Sequence, residues 1–365
     1  MSVAVTKSDE IINVREKVIS VLELLSTRMA WSSARTLLSS TSLHVSRGWD
    51  ETLASARKDV YDNAIWTAAY NALAYVAHDH TYVGNKHVSF FDLLNQNEVD
   101  RTRVLTWAKE SAVSNLSEYL AYCQFSIIEA PTGKDELQSF KDLPPKLIAA
   151  EYVRNKLYLQ FFSTRSYTQR ESLDISKMTA SQQKMFREYE ELIGVKTKSV
   201  PCFDTVVIDP EKALVEVRID FQPGMTEDKN TPAFERVVAE FNRITTKFLG
   251  FGALGAGLIN LHPAINPMYL DEKCGQVTAL GFVATGKDSS SNNRSQIHRT
   301  KTRDFRKDEF HVGGKSQVSR IDPYAIGVAW PATPPKSDLY LELKGSARAI
   351  YRGKLSAVTV AEIVG

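Results

Sequence analysis

Residues 203–221 read FDTVVIDPEKALVEVRIDF, which is two strand-like runs joined by Asp209-Pro210-Glu211-Lys212. Apolar and polar side chains alternate along the second run, residues 214–221, as they do in a strand with one buried face. Proline and charged residues between two such runs indicate a turn, so the segment predicts a β-hairpin. The polar face of the second strand is predicted to be solvated, and it carries Glu216, Arg218 and Asp220.

The sequence after this hairpin combines one helix with several strands. Residues 232–248 have an amphipathic helical pattern that ends at Gly250, a common helix stop. Strand-like runs follow at residues 277–285, 325–330, 339–343, 347–351 and 357–363. Because these elements do not alternate as βαβ units, we expect an α+β domain with a mostly antiparallel sheet.

The sequence before the hairpin has mainly helical periodicity. Helical patterns cover residues 9–28, 50–77, 99–122, 144–162 and 180–193, the last with Thr179 and Gln182 as a capping box. Convincing strand-like alternation is missing before Thr197, so the first half is predicted to be all-helical. The change of pattern between Gly194 and Val200 predicts a helical domain, residues 1–195, followed by an α+β domain, residues 196–365.

The composition is that of an ordinary globular chain, with 43% hydrophobic and 24% charged residues. Its three cysteines, Cys123, Cys202 and Cys274, lie far apart and lack the spacing of a disulfide framework or a zinc site. The beginning of the sequence lacks the apolar core of a signal peptide, and no apolar run has the length of a membrane span. These features predict a soluble, cytoplasmic protein that does not bind a membrane.

Positive charge is concentrated in residues 286–320, GKDSSSNNRSQIHRTKTRDFRKDEFHVGGKSQVSR. Of the chain's 45 basic and 43 acidic residues, nine and four lie in residues 287–320, which leaves 36 and 39 elsewhere. Because strand-like runs flank this segment, it is predicted to be a long basic insertion in the second domain. A local excess of Lys and Arg with aromatic residues among them is typical of nucleic-acid binding.

We predict that this insertion contacts a nucleic-acid backbone. Arginine grips phosphate with two hydrogen bonds, lysine acts as a point charge, and Phe305 or Phe310 could stack on a base. The backbone N–H groups of Gly313 and Gly314 beside Lys315 could also cradle a phosphate. The candidate binding residues are Lys287, Arg294, Arg299, Lys301, Arg303, Phe305, Arg306, Lys307, Lys315 and Arg320.

Two glycine-rich segments match nucleotide-binding motifs in spacing but not in context. Residues 281–288 fit the P-loop except that Asp288 stands where a Ser or Thr should bind magnesium, and the segment looks like a strand. Gly250, Gly252 and Gly255 fit G-x-G-x-x-G but follow a helix, whereas the dinucleotide fingerprint follows a strand. We therefore expect no nucleotide cofactor.

Two other groupings could carry metal chemistry. Asp209, Glu216 and Arg218 provide the carboxylates and cation that a metal-dependent nuclease needs, although Asp209 falls in the predicted turn. The second grouping lacks the fixed spacing of a metal site, and its members are His78, Asp79, His80, His87 and Asp92. No metal site is predicted, and no catalytic residue is assigned.

The function predicted from the sequence is binding of DNA or RNA through the basic insertion, within a homo-oligomer or a larger protein complex. The first alternative is a metal-dependent nuclease or nucleotide hydrolase that uses Asp209, Glu216 or Lys287. The second is a structural subunit whose insertion grips an acidic protein partner. Whether the chain is an enzyme stays open, and charge alone does not distinguish DNA from RNA because both carry the same phosphates and differ in the sugar 2′-hydroxyl.

Overall fold

The computed structural model describes residues 7–110, 112–120, 130, 134–141, 143–222, 225, 230–255, 257–287, 292–295, 297–300, 304–330, 339–344 and 349–352. Its helices are α1 (Lys7–Arg28), α2 (Trp31–Leu38), α3 (Trp49–Lys58), α4 (Asn63–Val83), α5 (Glu98–Glu110), α6 (Ala112–Asn115), α7 (Ser117–Leu120), α8 (Lys134–Ser139), α9 (Ala180–Met185), α10 (Asn230–Leu249), α11 (His262–Leu270) and α12 (Glu309–Ser316). Its strands are β1 (Lys86–Asp92), β2 (Lys146–Val153), β3 (Lys156–Leu173), β4 (Leu192–Asp209), β5 (Leu214–Asp220), β6 (Gln276–Gly286), β7 (Asn292–Arg294), β8 (His298–Arg299), β9 (Val318–Trp330), β10 (Leu339–Lys344) and β11 (Ala349–Arg352).

The described strands form one antiparallel sheet. Their order is β2-β3-β4-β5-β1-β11-β10-β9-β6-β7, and β8 also pairs with β6. The hairpin predicted from residues 203–221 is confirmed as β4–β5. In its turn, Asp209 Oδ1 accepts hydrogen bonds from the backbone N–H groups of Glu211 and Lys212, both at 3.1 Å. Helices packed on an antiparallel sheet confirm the α+β class.

The first 195 residues are only partly helical. Helices α1–α4 cover most of residues 7–83, but β1, β2, β3 and the start of β4 also lie in this part of the chain. The helix predicted for residues 144–162 is wrong, because this segment forms the β2–β3 hairpin. Its two turn residues, Arg154 and Asn155, have φ angles of 51° and 61°, as the central residues of a tight hairpin turn require.

Burial on both sides of β3 explains why the sequence did not reveal this strand. Tyr158 and Phe162 pack into one core, whereas Leu159 and Phe161 pack into the core on the other side of the sheet. Residues 157–162 of β3 therefore form a nearly continuous apolar run without regular alternation with polar residues. β1 is buried on both faces as well, but Lys86, His87 and Ser89 are among its buried residues.

Several predicted helices differ from the observed ones at their ends. The predicted helix 50–77 is two helices, α3 and α4, and Asp62 caps the second through a 2.9 Å hydrogen bond from the Ile65 N–H group. The predicted helix 99–122 is broken into α5, α6 and α7. The Thr179/Gln182 capping box is confirmed, but the helix that it starts ends at Met185. The predicted helix 232–248 is confirmed as α10, with Gly250 at φ 80° immediately after it.

The segment 194–200, where the sequence placed a domain boundary, lies within β4. This strand pairs with β3 without interruption from Leu192 to Ile208, and strands from both parts of the chain share the sheet. The strand predicted for residues 277–285 is confirmed as β6, and those predicted for 325–330, 339–343 and 347–351 fall on β9, β10 and β11. The strand predicted for residues 357–363 lies outside the described residues.

Each face of the sheet has its own hydrophobic core. On one face, α1, α4 and α11 contribute Leu22, Trp66 and Ile265. On the other, α5 and α10 contribute Val104 and Phe241. This arrangement places β6, β9 and the predicted basic segment toward the β7 end of the sheet, away from the β2 edge.

Candidate nucleic-acid interface

The predicted basic insertion is a folded part of the sheet edge where the structure describes it. β7 and β8 pair with β6, a 3₁₀ turn covers Phe305–Lys307, and α12 leads into β9. Asp308 caps α12, because its Oδ1 atom accepts hydrogen bonds from the N–H groups of Phe310 (3.1 Å) and His311 (3.3 Å). The basic side chains therefore start from fixed backbone positions at this edge.

Phe305 anchors the segment to the body of the protein. Its ring lies 5.1 Å from that of His311 and 6.2 Å from that of His298, and it packs against the core. His311 is itself buried and forms a 2.8 Å hydrogen bond with the Tyr269 hydroxyl. These contacts occupy Phe305, so its position does not suit the base stacking predicted from the sequence. Phe310 is 92% exposed.

Arg306 is also committed to contacts within the protein. Its Nη2 atom lies 2.7 Å from Asp304 Oδ2, and its guanidinium group donates hydrogen bonds to the carbonyl oxygens of Asp271 and Gly275. Burial alone would raise the pKa of Asp304, but the hydrogen bonds and charge of Arg306 hold that pKa below its ordinary value. Arg306 thus links the 3₁₀ turn to the start of β6.

Four of the exposed cations of the segment form what we call the basic surface: Lys287, Lys307, Lys315 and Arg320. Lys287 follows β6, and Arg320 lies on β9 opposite Thr285, so the two are close to the same end of these strands. Lys315 is in the last turn of α12, with Nζ 5.5 Å from the Tyr269 ring centre. Arg320 forms an exposed 2.6 Å ion pair with Asp322. The remaining candidates differ in how far the structure describes them.

Arg299 is exposed on β8, and Arg294 belongs to β7, where only its backbone is described. Lys301 and Arg303 lie outside the described residues. The structure therefore brings Lys287 and Arg320 to one end of β6 and β9, and it puts Lys315 in the last turn of α12 with its ammonium group over the Tyr269 ring. It places Lys307 at the other end of α12.

The nuclease-like grouping does not form a shared site. Asp209 is held by the turn N–H groups and by Lys156, whose Nζ atom is 2.9 Å away. Glu216 accepts hydrogen bonds at 2.9 and 2.6 Å from the Nε and Nη2 atoms of Arg218. Both partners of this second pair are buried, so the prediction of a solvated face on β5 is wrong. Each carboxylate already has a cationic partner of its own.

The buried face of β5 belongs to a cluster of charges that the sequence did not reveal. Asp220 pairs with Arg28 and Lys86, and Asp204 pairs with Arg165. All five side chains are less than a tenth exposed. Burial lowers the pKa of Lys86 to about 8, although the Asp220 charge opposes this shift. The cluster joins α1 to four strands, and its three cations share two carboxylates inside the protein.

The histidine grouping is likewise dispersed among separate contacts. His78 Nε2 lies 2.9 Å from Glu151 Oε1, whereas His80 is buried beside the charge cluster. Burial, together with the charges of Arg28 and Lys86, lowers the pKa of His80 to about 3. Within the described ranges, no group of three or more His, Cys, Asp or Glu side chains could hold a metal ion.

The P-loop-like segment is extended from Gly281 to Gly286, because these residues belong to β6. A Cβ atom at Gly281 would lie 2.8 Å from the Tyr324 ring, so close packing explains this glycine. Gly250, Gly252 and Gly255 follow α10 and lead away from a helix. As far as the two segments are described, residues 281–287 and 250–255, neither has the strand–loop–helix geometry in which such glycines cradle phosphates.

Neither known protein families nor curated proteins give a match to this chain. In the part of the chain that the structure describes, no helix has the length and apolar character needed to cross a membrane.

Proposed function

We propose that this protein binds the phosphate backbone of a nucleic acid through the basic surface. The observation that carries the proposal is the exposure and the ion pairing of three lysines, Lys287, Lys307 and Lys315. All three side chains are exposed, and no carboxylate among the described residues pairs with them. Exposed ammonium groups without anionic partners provide a favourable potential for phosphates, and the rest of the chain is net acidic.

The engaged carboxylates favour binding over metal-assisted cleavage. A nuclease needs carboxylates that are available to hold a metal ion beside the scissile phosphate. Asp209 is bound to Lys156 and the turn backbone, and Glu216 is bound to Arg218 inside the protein. We therefore place binding before the nuclease and nucleotide hydrolase alternatives, and we assign no catalytic residue.

The test is a salt titration of binding by the wild type and the variant Lys287→Ala/Lys307→Ala/Lys315→Ala. Each phosphate contact contributes about 0.7 to 0.9 to the magnitude of the slope of log K against log salt, so losing three contacts should reduce that magnitude by about two to three. The matched control replaces Lys58, Lys109 and Lys141, which are exposed elsewhere. Equal slopes for both triple variants would contradict the role of the basic surface.

A separate segment supports the proposal that the protein acts within a homo-oligomer. We call residues 168–197 the arm: the outer halves of β3 and β4 together with α9. Its apolar side chains Met185, Tyr189, Ile193 and Val195 are each more than half exposed. The arm carries five basic and five acidic residues, a balance that suits contact with a second copy of this chain better than contact with a polyanion.

A further inference from the structure

An exposed aromatic ring lies beside the basic surface. Phe310 is 92% exposed on α12, three residues after Lys307 and five before Lys315. Burying an aromatic side chain is strongly favourable, so a ring that a capped helix presents to water would gain from contact with a flat apolar surface. The neighbouring lysines indicate that this partner also carries negative charge.

Two glycines keep the ring accessible. Gly313 and Gly314 are three and four residues after Phe310, which places them on the same face of α12. Helical side chains lean toward the helix N-terminus, so a side chain at position 314 would cover the region of Phe310. A methyl group at either glycine would meet no atom within 4 Å apart from its own helix backbone and adjacent residues, so internal packing does not require these glycines.

These glycines weaken the helix that carries Phe310. Each glycine inside a helix costs about 1 kcal/mol relative to alanine, and α12 has only eight residues. Asp308 at the N-cap and the buried His311 hold the helix in place in spite of this cost. Open space beside an exposed ring is the feature that the two glycines provide, and it would admit a flat ligand.

We infer that Phe310 is a stacking platform for an unpaired base, and that the ligand class is single-stranded nucleic acid. This inference rests on the proposed function. In a duplex the faces of the bases are covered by their neighbours, so an exposed phenylalanine gains little from a duplex unless a base is unstacked. In a single strand every base has a free face, and nearby lysines hold the backbone.

The experiment measures binding of labelled single-stranded DNA, single-stranded RNA and the corresponding duplexes by fluorescence anisotropy. The variants are Phe310→Ala, Phe310→Trp and Gly314→Leu, and the control is Val60→Ala, which removes another apolar side chain that is 92% exposed. We expect Phe310→Ala to weaken binding of single strands about 5- to 150-fold. We expect Gly314→Leu to weaken it as well, without lowering the melting temperature, and Phe310→Trp to keep the wild-type affinity.

The outcomes separate this inference from the function on which it rests. Unchanged single-strand binding by Phe310→Ala, together with a loss in the three-lysine variant, would overturn the stacking role and leave the proposed function in place. Equal weakening of single strands and duplexes by Phe310→Ala would also overturn it. If the wild type and the three-lysine variant bind every oligonucleotide equally, both the proposed function and the stacking role fail. The DNA and RNA arms of the experiment identify which polymer is preferred.

Discussion

Arg28 and Asp220 form a two-pronged ion pair inside the protein, with Nη1–Oδ2 and Nη2–Oδ1 distances of 2.5 and 2.8 Å. Arg28 is the last residue of α1, and Asp220 is the last residue of β5. Asp220 also accepts a 3.0 Å hydrogen bond from Lys86 and another from the backbone N–H group of Phe203. One carboxylate thus connects a helix near the start of the chain to β1, β4 and β5.

Removing this carboxylate should strongly destabilise the protein. Asp220→Ala leaves Arg28 and Lys86 buried without their shared counter-charge, and breaking a buried pair in this way costs about 3 to 5 kcal/mol. The free energy of unfolding from urea titration measures the effect, and Asp220→Asn serves if the alanine variant does not fold. The control is Glu171→Ala, which removes an exposed ion pair with Lys196 (2.7 Å) and should cost less than about 1 kcal/mol. Similar losses in the two variants would contradict the importance of the buried pair.

His80 should make the protein less stable as the pH falls. Its folded-state pKa of about 3 lies below the ordinary value of 6.5, so the unfolded chain binds more protons between these values. Stability therefore decreases as pH falls through this range, by about 2 kcal/mol from about pH 7 to about pH 5. The low pKa of Asp220 acts in the same direction at more acidic pH.

The measurement for His80 is urea unfolding across this pH range, for the wild type and for His80→Gln. The variant lacks the titrating ring. The loss in its free energy of unfolding between about pH 7 and about pH 5 should therefore be smaller than that of the wild type by about 2 kcal/mol. His262→Gln is the control, because His262 is exposed at the start of α11. An unchanged pH dependence in His80→Gln would show that other groups cause the acid sensitivity.

α10 was predicted correctly because it has one buried and one exposed face, and the β4–β5 hairpin because apolar and charged side chains alternate along β5. The inner part of β3, residues 157–162, was predicted as helix because both of its faces are buried and its apolar residues do not alternate with polar ones. The polar side of β5 was placed in solvent, since alternation shows that two faces differ but does not show which of them meets water. A buried face with Glu216 and Asp220 becomes evident only when their cationic partners are seen.

The same reasoning applies to the candidate site. The sequence predicted a concentration of cations in residues 286–320, and the described part of this segment does carry exposed lysines. It did not distinguish Arg306, which is engaged with Asp304, from Lys307, which points to solvent. Nor did it distinguish Phe305, which packs inward, from Phe310. The difference for Arg306 depends on the carbonyl oxygens of Asp271 and Gly275, which are distant in the sequence, and that for Phe305 depends on its contact with the buried His311.

Alanine substitution of the adjacent residues Arg306 and Lys307 should therefore affect different properties. The first should lower stability, and the second should weaken binding. Arg306→Ala removes an ion pair and two hydrogen bonds to backbone carbonyls, and we expect it to lower the free energy of unfolding by about 1 to 3 kcal/mol. Lys307→Ala should change stability by less than about 0.5 kcal/mol but reduce the salt slope of binding by about 0.7 to 0.9. Urea unfolding and salt titration of both variants give the comparison, and equal stability losses would contradict the assignment of Arg306.

The arm should be dispensable for folding but required for self-association. β3 and β4 pair through Tyr167 and Lys198, so residues 168–197 can be replaced by Asn-Gly, which forms a tight two-residue turn between paired positions. Tyr167 stays buried against Val200 and Cys202, and the body of the sheet keeps its register. The shortened chain should therefore retain the urea unfolding transition of the full-length protein.

Light scattering coupled to size-exclusion chromatography measures the effect on assembly. We expect the full-length chain to associate in a concentration-dependent manner and the shortened chain to be monomeric. The reason is that burying the apolar side chains of the arm between two copies is favourable. A second variant keeps the arm but replaces Met185, Tyr189, Ile193 and Val195 by serine. This variant tests the apolar contact separately from the length of the arm. Its control replaces Thr168, Ser172, Ser181 and Thr197 by alanine within the same arm. A full-length protein that is monomeric at all concentrations, or a shortened chain that associates equally, would show that the arm does not bind a second copy.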